Sequence, residues 1–218
     1  DPENREKYIG TPEQWDEAQG IMKKILDDLG VEYTVGVGEA AFYGPKLDVQ
    51  YKNVFGKEDT IVTIQVDQLL AEQFGMEYTD TDGQKKRPYI LHRTSLGCYE
   101  RTLAYLIEKY AGALPTWLSP TQVKLLPIGN EQLEYTKKIA EKMQSFGIRV
   151  ETDDRYEKIG YKIRQAQLQK IPYMLIIGDK EMADGTVSVR SRKNGDMGAV
   201  PADEFIDRLV LEIAKKER

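Results

Sequence analysis

Hydrophobic residues recur along this chain with two periods, which predict helices and strands. Apolar positions three and four residues apart indicate amphipathic helices. In the first such segment the capping pattern TPEQ at residues 11–14 predicts a helix that begins at Pro12, and Gly30 predicts its end. The residues expected to form its buried stripe are Trp15, Ala18, Met22, Ile25, Leu26 and Leu29.

A period of two predicts a β-hairpin further along the first half. Apolar and polar residues alternate over 46–52 and again over 62–67, on either side of a turn near Gly56. Each strand then has one apolar and one polar face, and the polar face is either solvated or the floor of a site. The β-prone segment 31–37 predicts another extended stretch.

The pattern changes at residues 111–120, AGALPTWLSP, where glycine and two prolines predict a domain junction. The expected domains are 1–115 and 116–218. The first is predicted to be α+β with an antiparallel sheet. The second is predicted to be α/β with the order βαβαββα and a mixed sheet, so the chain as a whole is expected to be α/β.

Composition narrows the class of protein. Of 218 residues, 40% are hydrophobic and 31% charged, which is typical of a soluble globular protein. No apolar run approaches the roughly 20 residues of a membrane helix, and the single cysteine, Cys98, predicts a reducing, cytoplasmic compartment. The chain begins at Asp1 without a methionine, so we expect it to be a piece of a longer polypeptide.

Charge is distributed unevenly between the two halves. The net charge is −5, with 13 basic and 20 acidic residues over 1–116 and 18 basic and 16 acidic residues over 117–218. The second half is therefore the better candidate for binding nucleic acid.

Residues 91–110, LHRTSLGCYERTLAYLIEKY, combine a helical stripe with candidate chemistry. Gly97 and Cys98 lie one turn before Arg101, so its guanidinium is expected beside a patch of small side chains. The planar guanidinium suits phosphate oxygens; alternatively, Arg101 pairs with a surface carboxylate. The apolar stripe expected to face a core consists of Leu96, Tyr99, Leu103, Leu106, Ile107 and Tyr110.

The run HRTSLGCYERTLAYLIE resembles motif 3 of the class II aminoacyl-tRNA synthetases, and its opening His-Arg pair resembles the threonyl-tRNA synthetase branch. This resemblance implies that Arg101 binds ATP phosphates, with Mg²⁺ as the accompanying ion. The segments GEAAFYGPKLD and TIQVD resemble the same branch. They imply that Tyr43, Lys46 and Gln65 line the aminoacyl-adenylate site, with Lys46 neutralising negative charge. After Asp67 the chain departs from the aromatic and proline-containing turn that is usual in the family.

His92 is the only histidine, and a zinc site needs at least three protein ligands, which this chain cannot supply. A lone histidine is more often a packed or hydrogen-bonded residue. The resemblance implies instead that His92 is one of three ligands of a Zn²⁺ whose other ligands lie outside this chain. Cys98 stands where many members have serine and is expected to line the substrate pocket or to be a packing residue, and not to ligate the metal.

Residues 154–181, DRYEKIGYKIRQAQLQKIPYMLIIGDKE, and the later VSVRSR resemble the anticodon-binding domain shared by threonyl-, prolyl-, histidyl- and glycyl-tRNA synthetases. The resemblance implies that Glu181 and Arg190 contact anticodon bases. Tyr156 stands where many members have asparagine, so no base-specific role is carried over to it.

Three other basic residues of this half can be explained without contact to RNA. Lys158, Lys162 and Arg192 are expected to form a solvated basic rim.

Together these resemblances imply that the chain is the C-terminal part of a threonyl-type synthetase. The complete enzyme would be a homodimer that binds ATP, threonine and the threonine-specific tRNA and does not associate with membranes. Because motifs 1 and 2 are missing, this chain alone is expected to be inactive. The alternatives are a non-catalytic tRNA-binding module and a prolyl- or histidyl-type enzyme.

Overall fold

The computed structural model describes residues 5–217. The chain forms two compact units, one up to Tyr105 and one from Leu106 onward. The domain boundary expected at 115/116 stays a prediction.

The first unit is built on a three-stranded antiparallel sheet with the order β1-β2-β5. A two-stranded hairpin, β3–β4, lies between β2 and β5 in the chain. A short 3₁₀ turn at Arg5–Lys7 precedes the first helix. The elements are α1 (Pro12–Asp28), β1 (Lys46–Lys52), β2 (Glu58–Asp67), α2 (Leu70–Gln73), β3 (Tyr78–Thr79), β4 (Lys85–Lys86), β5 (Ile90–Arg93) and α3 (Tyr99–Tyr110), of which α3 continues past Tyr105.

The predicted start of α1 is confirmed. The Thr11 side chain accepts from the Gln14 N–H, and the Gln14 side chain accepts from the Thr11 N–H at 2.9 Å, a reciprocal capping box before Pro12. Gly30, just beyond the helix, has φ of +64°, a left-handed conformation that glycine adopts at low cost.

Two expectations for the first unit are wrong. Only Ala18 of the α1 stripe is buried, whereas Ile25 is 53% and Leu29 69% exposed, and no residue of α3 is buried. The helical period of 3.6 residues identifies the apolar face of each helix, but the small sheet of this unit leaves both faces exposed. Residues 31–37 were expected to be extended, but they pair with no neighbouring strand and form no β-strand.

The second unit contains a five-stranded mixed sheet with the order β10-β9-β8-β6-β7. Strand β6 is parallel to β7 and β8, and β9 is antiparallel to β8 and β10. Short 3₁₀ turns lie at Thr116–Leu118 and Asn130–Gln132. The elements are β6 (Val123–Pro127), α4 (Leu133–Ser145), β7 (Val150–Thr152), α5 (Ile159–Leu168), β8 (Tyr173–Ile177), α6 (Asp179–Asp184), β9 (Thr186–Ser191), β10 (Gly195–Pro201) and α7 (Ala202–Lys215).

The core of the second unit occupies both faces of this sheet. Leu125, Leu175 and Val189 pack with buried residues of α4 and α7, while Leu126 and Met174 pack with Ala166 of α5 on the other face. The predicted mixture of helices with antiparallel and mixed sheets is confirmed. The element order contains one strand more than predicted and the additional short helix α6. None of the described helices is long and apolar enough to cross a membrane.

Candidate functional site

Four of the residues singled out from the sequence lie together on the sheet of the first unit. Lys46 is paired with Gln65, and Gln65 with His92, so one residue from each strand forms a row on one face. Tyr43 lies against this row: its hydroxyl donates to Gln65 Oε1 at 2.7 Å, and its ring centroid lies 6.2 Å from that of His92. The polar face of the hairpin therefore assembles Tyr43, Lys46, Gln65 and His92.

Gly44 places Tyr43 on this face. The Gln68 N–H donates to the Tyr43 carbonyl at 2.9 Å, and the Val66 N–H donates to the Pro45 carbonyl at 3.0 Å, so the segment runs along β2. A Cβ at Gly44 would lie 1.7 Å from the Val66 carbonyl oxygen, so only glycine permits this approach.

Sequence reasoning missed the carboxylate that holds Lys46. The Lys46 ammonium lies 2.6 Å from Asp48 Oδ2, and the other oxygen of Asp48 accepts from the Thr63 hydroxyl at 2.7 Å. Asp48 and Thr63 are direct partners in the next row of the same face. The available signal was the alternation of residues 46–52, which places Lys46 and Asp48 on one side of β1.

A second missed carboxylate, Asp67, holds His92. Asp67 Oδ2 lies 2.8 Å from His92 Nε2, and Oδ1 accepts from the N–H groups of Leu69 and Leu70 at 2.8 and 2.9 Å. Burial by itself would raise the pKa of Asp67, but these hydrogen bonds together bring its pKa below the ordinary value. The Asp67 side chain is 3% exposed and that of His92 42% exposed.

Arg101 lies in the first turn of α3, and its guanidinium donates to the Thr60 carbonyl of β2 at 2.8 Å. The loop before the helix contacts β2 as well, because a Cβ at Gly97, where φ is +64°, would lie 2.1 Å from the Ile61 carbonyl oxygen. Gly97 and Cys98 lie just before the first residue of the helix. The exposed Cys98 accepts from the Arg101 N–H through Sγ at 3.3 Å, and its role in lining a pocket stays a prediction.

No group of three or more His, Cys, Asp or Glu within residues 5–217 could hold a metal ion. His92 can therefore contribute at most one ligand of a shared site. The chemistry of His92 fits such a role, because the contact of Nε2 with the Asp67 carboxylate leaves the second ring nitrogen, Nδ1, outside that hydrogen bond.

The two residues expected to read an anticodon lie apart in the second unit. Glu181 is in the first turn of α6, where its Oε2 accepts from the Gly178 N–H at 3.0 Å, just past the carboxyl end of β8. Arg190 is paired with Met174 near the other end of β8, four residues or roughly 13 Å from Gly178 along the strand.

Arg190 lines an open groove of about 400 Å³ between the end of α5 and the β9–β10 hairpin. Its guanidinium lies 3.3 Å from Asp196 Oδ2, and the hydrogen bond from the Gly198 N–H together with Arg190 lowers the pKa of Asp196. Gln167 and the apolar Met174 line the same groove. The groove thus offers a cation, a carboxylate and an amide, which are groups that can form hydrogen bonds with the edge of an unpaired base.

Two of the cations expected to form a solvated rim have structural roles. Lys162 is 3% exposed, and its ammonium donates to the carbonyls of Pro127 at 2.9 Å and Asp153 at 3.0 Å. Arg192 donates to the Leu114 carbonyl at 2.6 Å and also to the Lys170 carbonyl. Position in the sequence did not reveal these contacts, since each joins distant segments.

The loop after β7 exposes an aromatic ring on a fixed support. Arg155 Nε and Nη2 donate to the two oxygens of the buried Asp153 at 2.8 and 2.6 Å. Tyr156, the next residue, is 98% exposed. An aromatic ring in this position could stack on a base, and no specific contact follows from its placement alone.

The models of two protein families match this chain. Residues 5–110 match the model of the tRNA synthetase class II core domain (G, H, P, S and T), and residues 122–212 match that of the anticodon binding domain. Together the two models span both units. The chain therefore combines a match to a class II tRNA synthetase core domain with a match to an anticodon binding domain.

Curated relatives identify the branch. A threonine–tRNA ligase of Clostridium perfringens is 59% identical over 217 residues, which is all of this chain and 34% of the relative. Threonine–tRNA ligase 1 of Bacillus subtilis is 48% identical over 216 residues, again with 34% of the relative covered. The chain therefore belongs to the threonyl-tRNA synthetase family and corresponds to its C-terminal part. It spans about a third of the length of the curated relatives it matches.

A solved structure agrees with this family. The RNA binding domain of threonyl-tRNA synthetase from Cryptosporidium parvum superimposes with a TM-score of 0.83 and 35% identity, covering 93% of this chain and 51% of that chain.

Proposed function

We propose that the complete protein is a threonine–tRNA ligase, which activates threonine with ATP and transfers it to tRNA. The observation that carries this proposal is the row formed by Lys46, Gln65 and His92 under Tyr43. A cation, an amide, a hydroxyl and an imidazole converge there on one sheet face, in a chain whose curated relatives are threonine–tRNA ligases. This chain supplies part of the active site and the domain that binds the anticodon.

Each side chain of the row has a role that suits its chemistry. Lys46 neutralises the carboxylate or phosphate of the substrate as a point charge, with Asp48 holding its ammonium in place. Gln65 and Tyr43 position polar groups of the substrate, since an amide and a phenol each donate and accept hydrogen bonds. Arg101, anchored on the Thr60 carbonyl, binds phosphate oxygens of ATP and stabilises charge in the transition state.

Two metal ions belong to this proposal. Mg²⁺ accompanies ATP, and His92 contributes one ligand to Zn²⁺. When bound, zinc supplies coordination positions for the amino and hydroxyl groups of threonine, which valine cannot fill because it has a methyl group in place of the hydroxyl. His92 can present a ring nitrogen to such a site because its other nitrogen is held by Asp67.

The second unit binds the anticodon of tRNA. Glu181 accepts from base amino groups, and Arg190 donates to base acceptors, which is the usual readout of unstacked bases. The distance between the two along β8 suggests that they contact different nucleotides.

This chain alone is expected to lack ligase activity. The apolar faces of α1 and α3 stay open in the first unit, with Leu29 69% and Leu103 51% exposed. We propose that other parts of the synthetase core cover these faces and complete the site. Assembly as a homodimer and a cytoplasmic location stay predictions.

The test is ATP–pyrophosphate exchange with each amino acid in turn, on the complete protein and on this chain. The complete protein should exchange with threonine alone, and this chain should exchange with none. Exchange driven by proline or histidine would overturn the threonine assignment. If tRNA binds but no amino acid supports exchange by the complete protein, a non-catalytic tRNA-binding module is the correct description.

A further inference from the structure

The contact between Asp67 and His92 joins a buried carboxylate to a half-exposed ring. Asp67 ends β2 and His92 lies in β5, in the adjacent row of the same sheet face. One carboxylate oxygen is occupied by the N–H groups of Leu69 and Leu70, so its position is fixed by the backbone. The other oxygen lies 2.8 Å from Nε2 of the ring.

This geometry determines which ring nitrogen carries the proton. A carboxylate that already accepts two backbone hydrogen bonds has only acceptor oxygens to offer to a neighbour. Nε2 must therefore be the donor, and in the neutral imidazole Nδ1 then holds the lone pair. His92 is free to offer that lone pair because its side chain is 42% exposed, whereas Asp67 is 3% exposed.

We propose that Asp67 is a positioning residue that fixes the tautomer of His92, so that His92 ligates a divalent zinc ion through Nδ1. The step to zinc rests on the proposed function, while the tautomer concerns this chain alone. Metal-binding histidines commonly donate their second nitrogen to a carboxylate, which orients the ring and increases the basicity of the ligating nitrogen. Asp67 is not among the site residues that were predicted from the sequence, and none of those residues holds Nε2 of His92.

The substitution Asp67→Asn gives a prediction that a merely structural role would not. The amide oxygen of the variant should remain on the Leu69 and Leu70 N–H groups, so its NH₂ group faces Nε2. Since two donors cannot face each other, Nε2 becomes the acceptor and the ring proton moves to Nδ1. His92 is the only histidine, so the imidazole ¹⁵N spectrum of this chain reports the change without any assignment problem.

The expected spectra differ clearly between variants. At a pH where the ring is neutral, the unsubstituted chain should show the one-bond proton coupling on Nε2, and Asp67→Asn should show it on Nδ1. Asp48→Asn is the matched control: it alters a carboxylate on the same face that contacts Lys46 instead of His92, and should leave the spectrum unchanged. If the Asn variant does not fold, the unsubstituted chain still decides, because a proton on Nδ1 there contradicts the proposal.

The zinc step is tested on the complete ligase by competition for Zn²⁺ with a chelator. Asp67→Asn should weaken zinc affinity roughly 10- to 100-fold, and Asp48→Asn should not. An inverted tautomer with unchanged zinc affinity would overturn ligation through Nδ1. Absence of bound zinc from the unsubstituted ligase would instead contradict the cofactor in the proposed function, and the ¹⁵N result would stand independently.

Discussion

Gly44 and Val66 approach each other so closely that a Cβ on Gly44 would lie 1.7 Å from the Val66 carbonyl oxygen. This approach brings Tyr43 onto the sheet face, where its hydroxyl reaches Gln65 at 2.7 Å. This backbone contact therefore helps to set the geometry of the candidate active site.

Gly44→Ala should destabilise the first unit by about 2 kcal/mol or more, because a backbone segment has to move. Gly20→Ala is the matched control, since Gly20 lies within α1 and a Cβ there meets no atom within 4 Å. The control should stabilise the chain by about 0.5–1 kcal/mol. Urea unfolding of both variants measures the difference, and equal effects would show that the approach at Gly44 is not needed.

Lys162→Met should cost about 1–3 kcal/mol of the free energy of unfolding, since the carbonyls of Pro127 and Asp153 would lose their donor inside the protein. Lys158→Met, which changes an exposed lysine near the start of the same helix, should stay within about 0.5 kcal/mol. Thermal or urea unfolding distinguishes the two. A neutral Lys162→Met would mean that the buried ammonium contributes no net stability.

Asp153 should make the stability of the second unit depend on pH. Arg155 lowers the pKa of Asp153, outweighing the effect of burial, which would raise it. A carboxyl group with a lowered folded pKa contributes stability above its unfolded pKa of about 3.9 and loses it as the pH falls through the folded value. Asp153→Asn should therefore be less stable than the unsubstituted chain at pH 7, and the difference should shrink in acid.

Urea unfolding between pH 7 and pH 2.5 measures this effect. Asp154→Asn, on the neighbouring exposed carboxylate, is the control for the loss of one negative charge. If the loss caused by Asp153→Asn is the same at every pH, the ion pair with Arg155 is not the source of the stabilisation.

Arg101→Ala should abolish adenylate formation by the complete protein and leave its affinity for tRNA nearly intact, because the role proposed for the guanidinium is confined to the phosphates of ATP. ATP–pyrophosphate exchange and tRNA binding on the same samples measure the two effects. Arg93→Ala, on an exposed arginine at the end of β5, is a control for the loss of positive charge. Unchanged exchange by Arg101→Ala would remove Arg101 from the phosphate site.

Local patterns predicted the parts of this structure that local physics determines. The capping box located the start of α1, and strand alternation placed Lys46 and Gln65 on polar faces of neighbouring strands. Pairing register, which is set by long-range packing, decided that His92 joins their row. The same dependence explains why Asp67 was missed as the partner of His92, whereas the alternation along β1 already places Asp48 beside Lys46.

Burial was harder to predict than secondary structure. Lys162 looked like a surface lysine, yet the crossing of α5 over β6 buries it against two carbonyls. Conversely, the apolar stripes of α1 and α3 predicted a core that these residues do not enter. The roles of Glu181 and Arg190 stay predictions, because no geometry of the free protein identifies the base that each would contact.

The most direct measurement is the affinity of this chain for the threonine tRNA, compared with the same tRNA carrying a changed anticodon, for the unsubstituted chain and for Arg190→Ala. The unsubstituted chain should prefer the cognate anticodon. Arg190→Ala should lose about 1–3 kcal/mol of binding free energy on the cognate tRNA and most of the preference. Equal affinity of the unsubstituted chain for both tRNAs would contradict the proposal that it is the anticodon-reading part of a threonine–tRNA ligase.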